Sequence, residues 1–228
     1  MTDLVSVAEH DTHTIITMDD GKANALSFAM FEAVNGALDH AESNGKVLVI
    51  NGRPGKFSAG FDLSVMGKAD QETVRLLRCG VDLAIRLLKF PTPVVLGVTG
   101  HSLAMGALLC LSADYRIGMR GAYKLGLNEA AIGMTLPWFG VELARYRLTM
   151  PHYSKCVGLA QVLDPDGAVE AGFLDEAVDE EAHEERVNAV AVGLSALDMT
   201  AHAGCKERAR EPLFAALEAA LARDFEAA

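Results

Sequence analysis

Short apolar runs alternate along the chain with longer segments in which apolar residues recur every three or four positions. The short runs predict strands and the longer segments predict helices. The predicted strands are residues 4–8 and 14–18, which form a hairpin, and residues 46–50, 94–98, 114–117 and 174–178. The predicted helices are residues 27–44, capped by Ser27, and residues 70–89, 103–112, 138–147 and 151–159. Strands that alternate with helices predict an α/β fold.

The composition changes at residue 180. From there the chain is rich in alanine and charged residues and keeps a helical spacing to its end, including residues 207–225. We therefore predict two regions. Residues 1–179 form the α/β core, which carries the candidate binding motifs, and residues 180–228 form a helical region at the C-terminus.

Charge and cysteine content narrow the classes of function. The 228 residues include 20 basic and 31 acidic ones, a formal net charge of −11, and no basic stripe. Nucleic acids and membrane surfaces are therefore not expected as partners. The four cysteines are scattered without a CxxC pair, which predicts neither disulfides nor a metal site. No signal-peptide pattern or membrane-length apolar run is found, so we expect a cytoplasmic protein.

Two glycine-containing turns carry the candidate chemistry. The first is the segment KFSAGFDL at residues 56–63, and the second is GHSLAMGALL at residues 100–109, which follows an apolar run and opens a helical one. Small residues let the chain turn sharply, and an N–H at a helix start lies at the positive end of the helix dipole. Two such donors directed at one point would form an oxyanion hole, which stabilises negative charge on a carbonyl oxygen.

With both turns placed, the chain resembles the crotonase superfamily, also called the enoyl-CoA hydratase/isomerase family. The resemblance also rests on KANAL at residues 22–26 and LNEAAIGM at residues 127–134. It implies a spiral of ββα units, with a C-terminal helical region that covers the pocket and helps to form homotrimers or homohexamers. It also implies an enzyme of acyl-CoA metabolism that stabilises a thioester enolate and uses no cofactor beyond the coenzyme A of its substrate.

Matching the motifs residue by residue implies roles for single positions. The N–H groups of Phe61 and Met105 would form the oxyanion hole, and Glu129 would be the catalytic base. The residues expected to bind the substrate are Lys22, Ala23, Ala25, Lys56, Ala59, Gly60, Leu108 and Trp138.

Leu108 bears on which family reaction the chain performs. Family hydratases use two glutamates, and Leu108 occupies the position of the first. A Δ3,Δ2-enoyl-CoA isomerase needs one base, which removes a proton from C2 and returns it at C4. Isomerisation through Glu129 is therefore the leading prediction, and its apolar neighbours are expected to raise the pKa of its carboxyl group. Hydration is the alternative; Asp62, otherwise a backbone cap, or Glu142, otherwise an ion pair with Arg145, would then supply the second carboxylate.

Two functions of other classes remain open. One is an acyl-CoA-binding protein without catalysis, as some family members lack glutamates. The other is a serine hydrolase, because the segment around Ser102 nearly matches a G-x-S-x-G elbow, although Ala104 replaces its last glycine. The triad partners would be Asp164 or Asp175 and His183 or His202.

Overall fold

The computed structural model describes residues 4–68 and 70–225. Its strands are β1 (Val5–Glu9), β2 (His13–Met18), β3 (Ala25–Leu26), β4 (Val47–Asn51), β5 (Gly55–Ser58), β6 (Gly60–Phe61), β7 (Val94–Val98), β8 (Gly100–Leu103), β9 (Tyr115–Met119), β10 (Leu125–Gly126) and β11 (Glu176–Val178). Its α-helices are α1 (Phe28–Asn44), α2 (Leu63–Met66), α3 (Gln71–Lys89), α4 (Met105–Ser112), α5 (Trp138–Arg147), α6 (Met150–Gly158), α7 (Pro165–Ala171), α8 (Glu180–Leu194) and α9 (Met199–Phe225). A short 3₁₀ helix, Ala130–Ile132, lies between β10 and α5.

The main sheet has the strand order β1-β2-β4-β7-β9-β11. β1 is antiparallel to β2, as the predicted hairpin requires, and the other neighbouring strands are parallel. Every residue of β7 is buried. Parallel strands are covered on both faces, so they read as continuous apolar runs rather than as an alternation. This is the reason that the short apolar runs in the sequence located the inner strands correctly.

Short strands follow the inner strands of the main sheet. β5, β8 and β10 form a parallel sheet in the order β10-β8-β5, and β3 pairs with β6. The succession of long strand, short strand and helix, as in β7-β8-α4, confirms the predicted spiral of ββα units. The short strands were not predicted, because two to four residues are too few to show a period. The helix predicted from residue 103 begins two residues later, at Met105, because the unpredicted strand β8 includes residue 103.

Helices cover both faces of the main sheet. On one face α1 begins at its cap Ser27, whose hydroxyl accepts a hydrogen bond from the N–H of Met30 over 3.2 Å, and contributes to the large core. On the opposite face α8 places Val187 and Ala191 against a smaller apolar cluster. Its partners from the sheet are Val47, Val49, Val95 and Ile117. The sheet is therefore the middle layer of the molecule.

Asp114 fastens the C-terminal helix to the core. Its carboxylate accepts hydrogen bonds from Lys206 over 2.6 Å and from Arg210 over 2.7 Å, both on α9 and both buried. Helices α8 and α9 confirm the predicted C-terminal helical region. The boundary after residue 179 and the role of this region in assembly or pocket cover remain predictions.

Candidate active site

A cavity of about 760 Å³, including its open mouth, lies between β6, α2, α3, the first turns of α4 and the start of α5. Its lining is formed by Ala59, Phe61, Leu63, Met66, Leu77, Ala104, Leu108, Asn128, Glu129, Ile132, Met134, Thr135, Pro137 and Phe139. All of these side chains except Asn128, Glu129 and Thr135 are apolar. A mostly apolar cavity with a few polar groups is the usual form of a small-molecule site.

The two predicted turns meet at this cavity. Gly60 has a φ of 91°, which glycine adopts without strain. A Cβ atom built on it would lie 2.8 Å from the Cβ of Ala104 and 3.2 Å from the backbone nitrogen of Met105. Glycine therefore lets the chain just before Phe61 come this close to the start of α4.

Met105 is the first residue of α4. The first N–H groups of a helix have no acceptor within the helix and lie at the positive end of its dipole. Ala104, just before it, has a φ of 50°, so the chain turns sharply where the helix begins. The close approach of the turns supports the prediction that the N–H groups of Phe61 and Met105 serve one oxyanion hole.

Asn24 connects the KANAL segment to the first turn, and the sequence analysis did not single it out. The residue is fully buried, and its amide nitrogen donates to the carbonyl oxygens of Met18, Lys56 and Phe57 over 2.8, 3.2 and 3.2 Å. The hydroxyl of Ser58 donates to the carbonyl of Asn24 over 2.8 Å and accepts from the N–H of Gly60 over 3.1 Å. The feature of the sequence that could have indicated this role is an asparagine between small residues, since asparagine tolerates the positive φ of 52° seen here.

Glu129 brings a carboxyl group into the apolar part of the cavity. The residue is only 8% exposed, and its Oε2 atom has no hydrogen-bond partner among the described residues. Burial raises the pKa of this carboxyl group above its ordinary value, because a charged carboxylate loses hydration there. Its backbone is fixed, since its carbonyl accepts from the N–H groups of Ile132 and Met134. The group is thus suited to accept a proton and give it back.

Leu108 lies one turn into α4 and lines the same cavity, 1% exposed. Its Cδ1 atom lies 3.2 Å from the position that a Cβ on Gly140 would take, so its isobutyl group packs against α5. Among the lining residues that the structure describes, Glu129 is the one carboxylate.

The candidates for a second carboxylate lie outside the lining of the cavity. Asp62 caps α2 and accepts a hydrogen bond from the N–H of Ser64 over 2.9 Å. Glu142 pairs with Arg145 over 3.2 Å on α5. Both residues have the structural roles that the sequence predicted, and neither is among the residues that line this cavity.

The serine hydrolase alternative is not supported by the position of Ser102. Its side chain is fully buried on β8, and its hydroxyl lies 3.4 Å from the sulfur of Cys110. His183 is held elsewhere, with its ring bonded to the carbonyl of Ile117 over 3.0 Å. A nucleophile needs a base within hydrogen-bond reach and access to substrate, and Ser102 has neither among the described residues.

The residues predicted to hold coenzyme A lie where the segment leading into β3 is hydrogen-bonded to β5, and β3 itself pairs with β6. Ala23 accepts a hydrogen bond at its carbonyl from the N–H of Ala59, and Ala25 pairs with Gly60. Lys22 is exposed, and Lys56 is half-buried. Burial, and then the positive charges of Lys56 and Lys124 nearby, lower the pKa of the His101 imidazole.

The prediction that Trp138 binds the substrate is not supported by its position. It is 47% exposed, and Arg223 lies 4.7 Å from its ring. The next residue, Phe139, is buried and lines the cavity instead. Both residues begin α5, and successive residues of a helix point about 100° apart, so only one of them faces the cavity.

No group of three or more His, Cys, Asp and Glu residues within residues 4–68 and 70–225 is arranged to hold a metal ion. Over the same residues, no helix combines the length and apolar character needed to cross a membrane.

Comparisons with known proteins agree with the motifs. The sequence profile of the enoyl-CoA hydratase/isomerase family matches residues 9–227. A solved enoyl-CoA hydratase/isomerase family protein from Pseudomonas syringae is 41% identical, with a TM-score of 0.95, covering 98% of this chain and 97% of that one. A solved Mycobacterium tuberculosis enoyl-CoA isomerase is 40% identical, with a TM-score of 0.92, and the match covers 97% of each chain. Another structure of the same protein is described as a probable enoyl-CoA hydratase.

A probable enoyl-CoA hydratase from Bacillus subtilis is 30% identical over 179 residues, which are 77% of this chain. The match spans 66% of that relative's own length, slightly less than two thirds. The chain belongs to the enoyl-CoA hydratase/isomerase family, whose members are enzymes of the crotonase superfamily.

Proposed function

We propose that the protein is a Δ3,Δ2-enoyl-CoA isomerase that uses Glu129 as its single acid–base group. The observation that carries this proposal is the pairing of a buried carboxylate with a hydrocarbon. Glu129 has an oxygen without a hydrogen-bond partner among the residues that the structure describes, and Leu108 lines the same cavity. Moving a double bond needs one base that accepts a proton and returns it. Adding water needs, in addition, polar groups that hold the water.

In this proposal Glu129 removes a proton from C2 of a 3-enoyl thioester. The electron pair moves onto the thioester oxygen, which accepts hydrogen bonds from the N–H groups of Phe61 and Met105. The protonated Glu129 then delivers the same proton to C4, and the double bond ends between C2 and C3. No atom is gained or lost, so no water, metal or redox partner enters the balance.

The oxyanion hole supplies much of the rate in this scheme. Each donor directed at a developing oxyanion is worth roughly 3–4 kcal/mol of barrier. Both donors are backbone groups, so Phe61 and Met105 can carry large side chains without losing this role. The raised pKa of Glu129 assists as well, since a base that must also act as an acid works best with a pKa near the working pH.

Coenzyme A is proposed to lie along β5 and the segment that leads into β3, with Lys22 and Lys56 near its phosphates. Ala59, which lines the cavity, would then lie where the thioester enters. The overall charge of −11 does not attract an anion, so local lysines would have to supply the attraction.

Hydration is the second candidate, because one observation favours it. Asn128 lines the cavity beside Glu129, and its buried Oδ1 atom has no hydrogen-bond partner among the described residues. An amide oxygen in this position can accept a hydrogen bond from a water molecule, which is the task of the glutamate that Leu108 replaces.

A panel of two substrates tests both candidates. Native protein, Glu129→Gln and Leu108→Glu are each assayed with a 3-enoyl-CoA and a 2-enoyl-CoA. We expect native protein to isomerise the 3-enoyl-CoA faster than it hydrates the 2-enoyl-CoA, and Leu108→Glu to gain hydration. Hydration by native protein as fast as isomerisation, lost in Asn128→Leu, would favour the second candidate. Turnover of neither substrate, with coenzyme A still bound, would favour a protein that binds acyl-CoA without catalysis.

A further inference from the structure

Gly80 lies in the middle of α3, a regular helix of 19 residues. Glycine is less favourable than alanine in a helix interior, because it loses more conformational freedom on folding. The φ of Gly80 is not in the left-handed region, so its backbone does not require glycine. The residue is buried, and the reason for glycine therefore has to be the space around it.

The space beside Gly80 is filled by the two residues of the proposed oxyanion hole. A Cβ atom built on Gly80 would lie 2.5 Å from Cζ and 2.7 Å from Cε1 of Phe61, and 3.2 Å from the sulfur of Met105. Carbon atoms without a bond between them make good contacts at about 3.5–4.0 Å. An alanine therefore cannot enter unless the phenyl ring moves.

The ring of Phe61 is confined on its core side, although Phe61 is half-buried and also lines the cavity. On the core side it packs against Phe31, with ring centroids 6.2 Å apart and planes tilted by 49°. Phe31 is 2% exposed and belongs to the large core, so it does not yield easily. A phenyl side chain has only two torsions with which to adjust. Volume added to a well-packed core forces side chains and backbone to shift, which costs free energy. A methyl group at Gly80 therefore displaces the ring toward the cavity, and because the ring is bonded to the Phe61 backbone, the displacement also bears on that backbone.

We propose that Gly80 is a positioning residue: by leaving room for the phenyl ring of Phe61, it sets where the Phe61 N–H points and so tunes the oxyanion hole. This inference rests on the proposed function. Gly80 is not a catalytic residue, because it acts through Phe61 and touches no reacting atom.

The principal test is Gly80→Ala, with Gly36→Ala as matched control. Gly36 also lies within a helix, α1, and a Cβ built there meets nothing within 4 Å. We expect Gly80→Ala to lower kcat for the 3-enoyl-CoA about 10- to 100-fold, since small misplacements of catalytic groups cost on this order. KM should change less than threefold, because the proposed coenzyme A contacts lie on β5 and in the segment leading into β3, not on α3. Gly36→Ala should match native protein.

A second readout does not depend on turnover. Acetoacetyl-CoA forms a conjugated enolate whose near-ultraviolet absorption differs from that of its keto form, and an oxyanion hole favours the enolate. We expect native protein and Gly36→Ala to increase the enolate fraction of bound acetoacetyl-CoA, and Gly80→Ala to do so about tenfold less. Thermal melting establishes that each variant is folded.

The steric cause is tested by coupling the two positions. In a Phe61→Ala background the ring is gone, so Gly80→Ala should cost less than threefold there. Phe61→Tyr adds an oxygen at Cζ and should crowd α3 from the other side, lowering kcat in the same manner. If Gly80→Ala does not fold, the kcat of Phe61→Tyr tests the same steric contact.

The outcomes separate the two proposals. Folded Gly80→Ala with the kcat and enolate fraction of native protein, or an equal cost in the Phe61→Ala background, would overturn the role of Gly80 while leaving the isomerase proposal intact. Native protein that neither turns over enoyl-CoA nor stabilises the acetoacetyl-CoA enolate would overturn the proposed function and this inference together.

Discussion

At the scale of single residues, the burial that suits Glu129 to its proposed role also destabilises the fold. Its carboxyl group is buried, and within residues 4–68 and 70–225 one of its oxygens has no hydrogen-bond partner. A buried polar group without a partner costs free energy of folding. The same lack of partners leaves the group available to a ligand. This conflict between folding and ligand access is expected at a catalytic position.

Glu129→Gln is predicted to lower the rate of double-bond isomerisation by about 10²–10⁴-fold, because the amide cannot accept the C2 proton. Binding of a non-reacting acyl-CoA should be kept, since the amide has nearly the same shape. Steady-state kinetics and calorimetric titration measure the two effects. Turnover that survives in Glu129→Gln would remove this residue from the mechanism.

The pH dependence should follow the raised pKa of Glu129. The base must be ionised in the free enzyme, so kcat/KM is predicted to rise with pH through a midpoint above the ordinary carboxyl value of 4.5. The effect on stability has the opposite sign, because the folded protein binds this proton more tightly than the unfolded chain. The unfolding free energy of native protein relative to Glu129→Gln should therefore fall as pH rises from 4.5 through the folded pKa. Denaturant titrations at several pH values measure this difference, and a constant difference would contradict it.

At the scale of elements, the candidate site depends on how β3, β5 and β6 are held together. Asn24 and Ser58 link the turn before β3 to β5 and to the start of β6 through buried and partly buried hydrogen bonds. Gly106 adds to this, since a Cβ there would lie 2.5 Å from the carbonyl oxygen of Ser58. The start of α4 therefore packs directly on the end of β5, which fixes one turn against the other.

Ser58→Ala is predicted to destabilise the protein by about 1–3 kcal/mol, because it leaves buried backbone groups of Asn24 and Gly60 without their partner. It should also lower kcat, since Gly60 precedes Phe61. Ser154→Ala is the control, because Ser154 is exposed on α6. Unfolding in urea and steady-state kinetics measure the effects, and a Ser58→Ala protein equal to this control would show that the link is not needed.

At the scale of the whole molecule, Asp114 joins the core to the end of the chain. It follows α4 in sequence, accepts a hydrogen bond from the N–H of Val94 on β7 over 2.8 Å, and pairs with Lys206 and Arg210 on α9. Burial lowers the pKa of Lys206 to about 8, so its charge depends on the presence of this carboxylate. Asp114 thus links α9 to β7 and to the chain just after α4.

Asp114→Ala is predicted to cost about 3–5 kcal/mol of unfolding free energy, because it leaves two buried cations without their anion. Asp82→Ala is the control, since Asp82 pairs with Arg78 at an exposed position of α3 and such pairs contribute about 0–1 kcal/mol. Chemical denaturation measures both. Equal losses in the two variants would show that the buried pairs do not hold α9.

The sequence by itself determined the family, the α/β class, the inner strands and the candidate base. These features are encoded locally, in continuous apolar runs, in helical spacing, and in turns whose small residues are required by the backbone. Only the tertiary structure decided which groups share one space. Packing between segments distant in the chain brings Leu108 and Glu129 to one cavity. The same packing turns Trp138 away from the cavity and sets Gly80 against Phe61. Local patterns do not indicate such contacts, because the hydrophobic period of a segment is the same whichever segment it packs against.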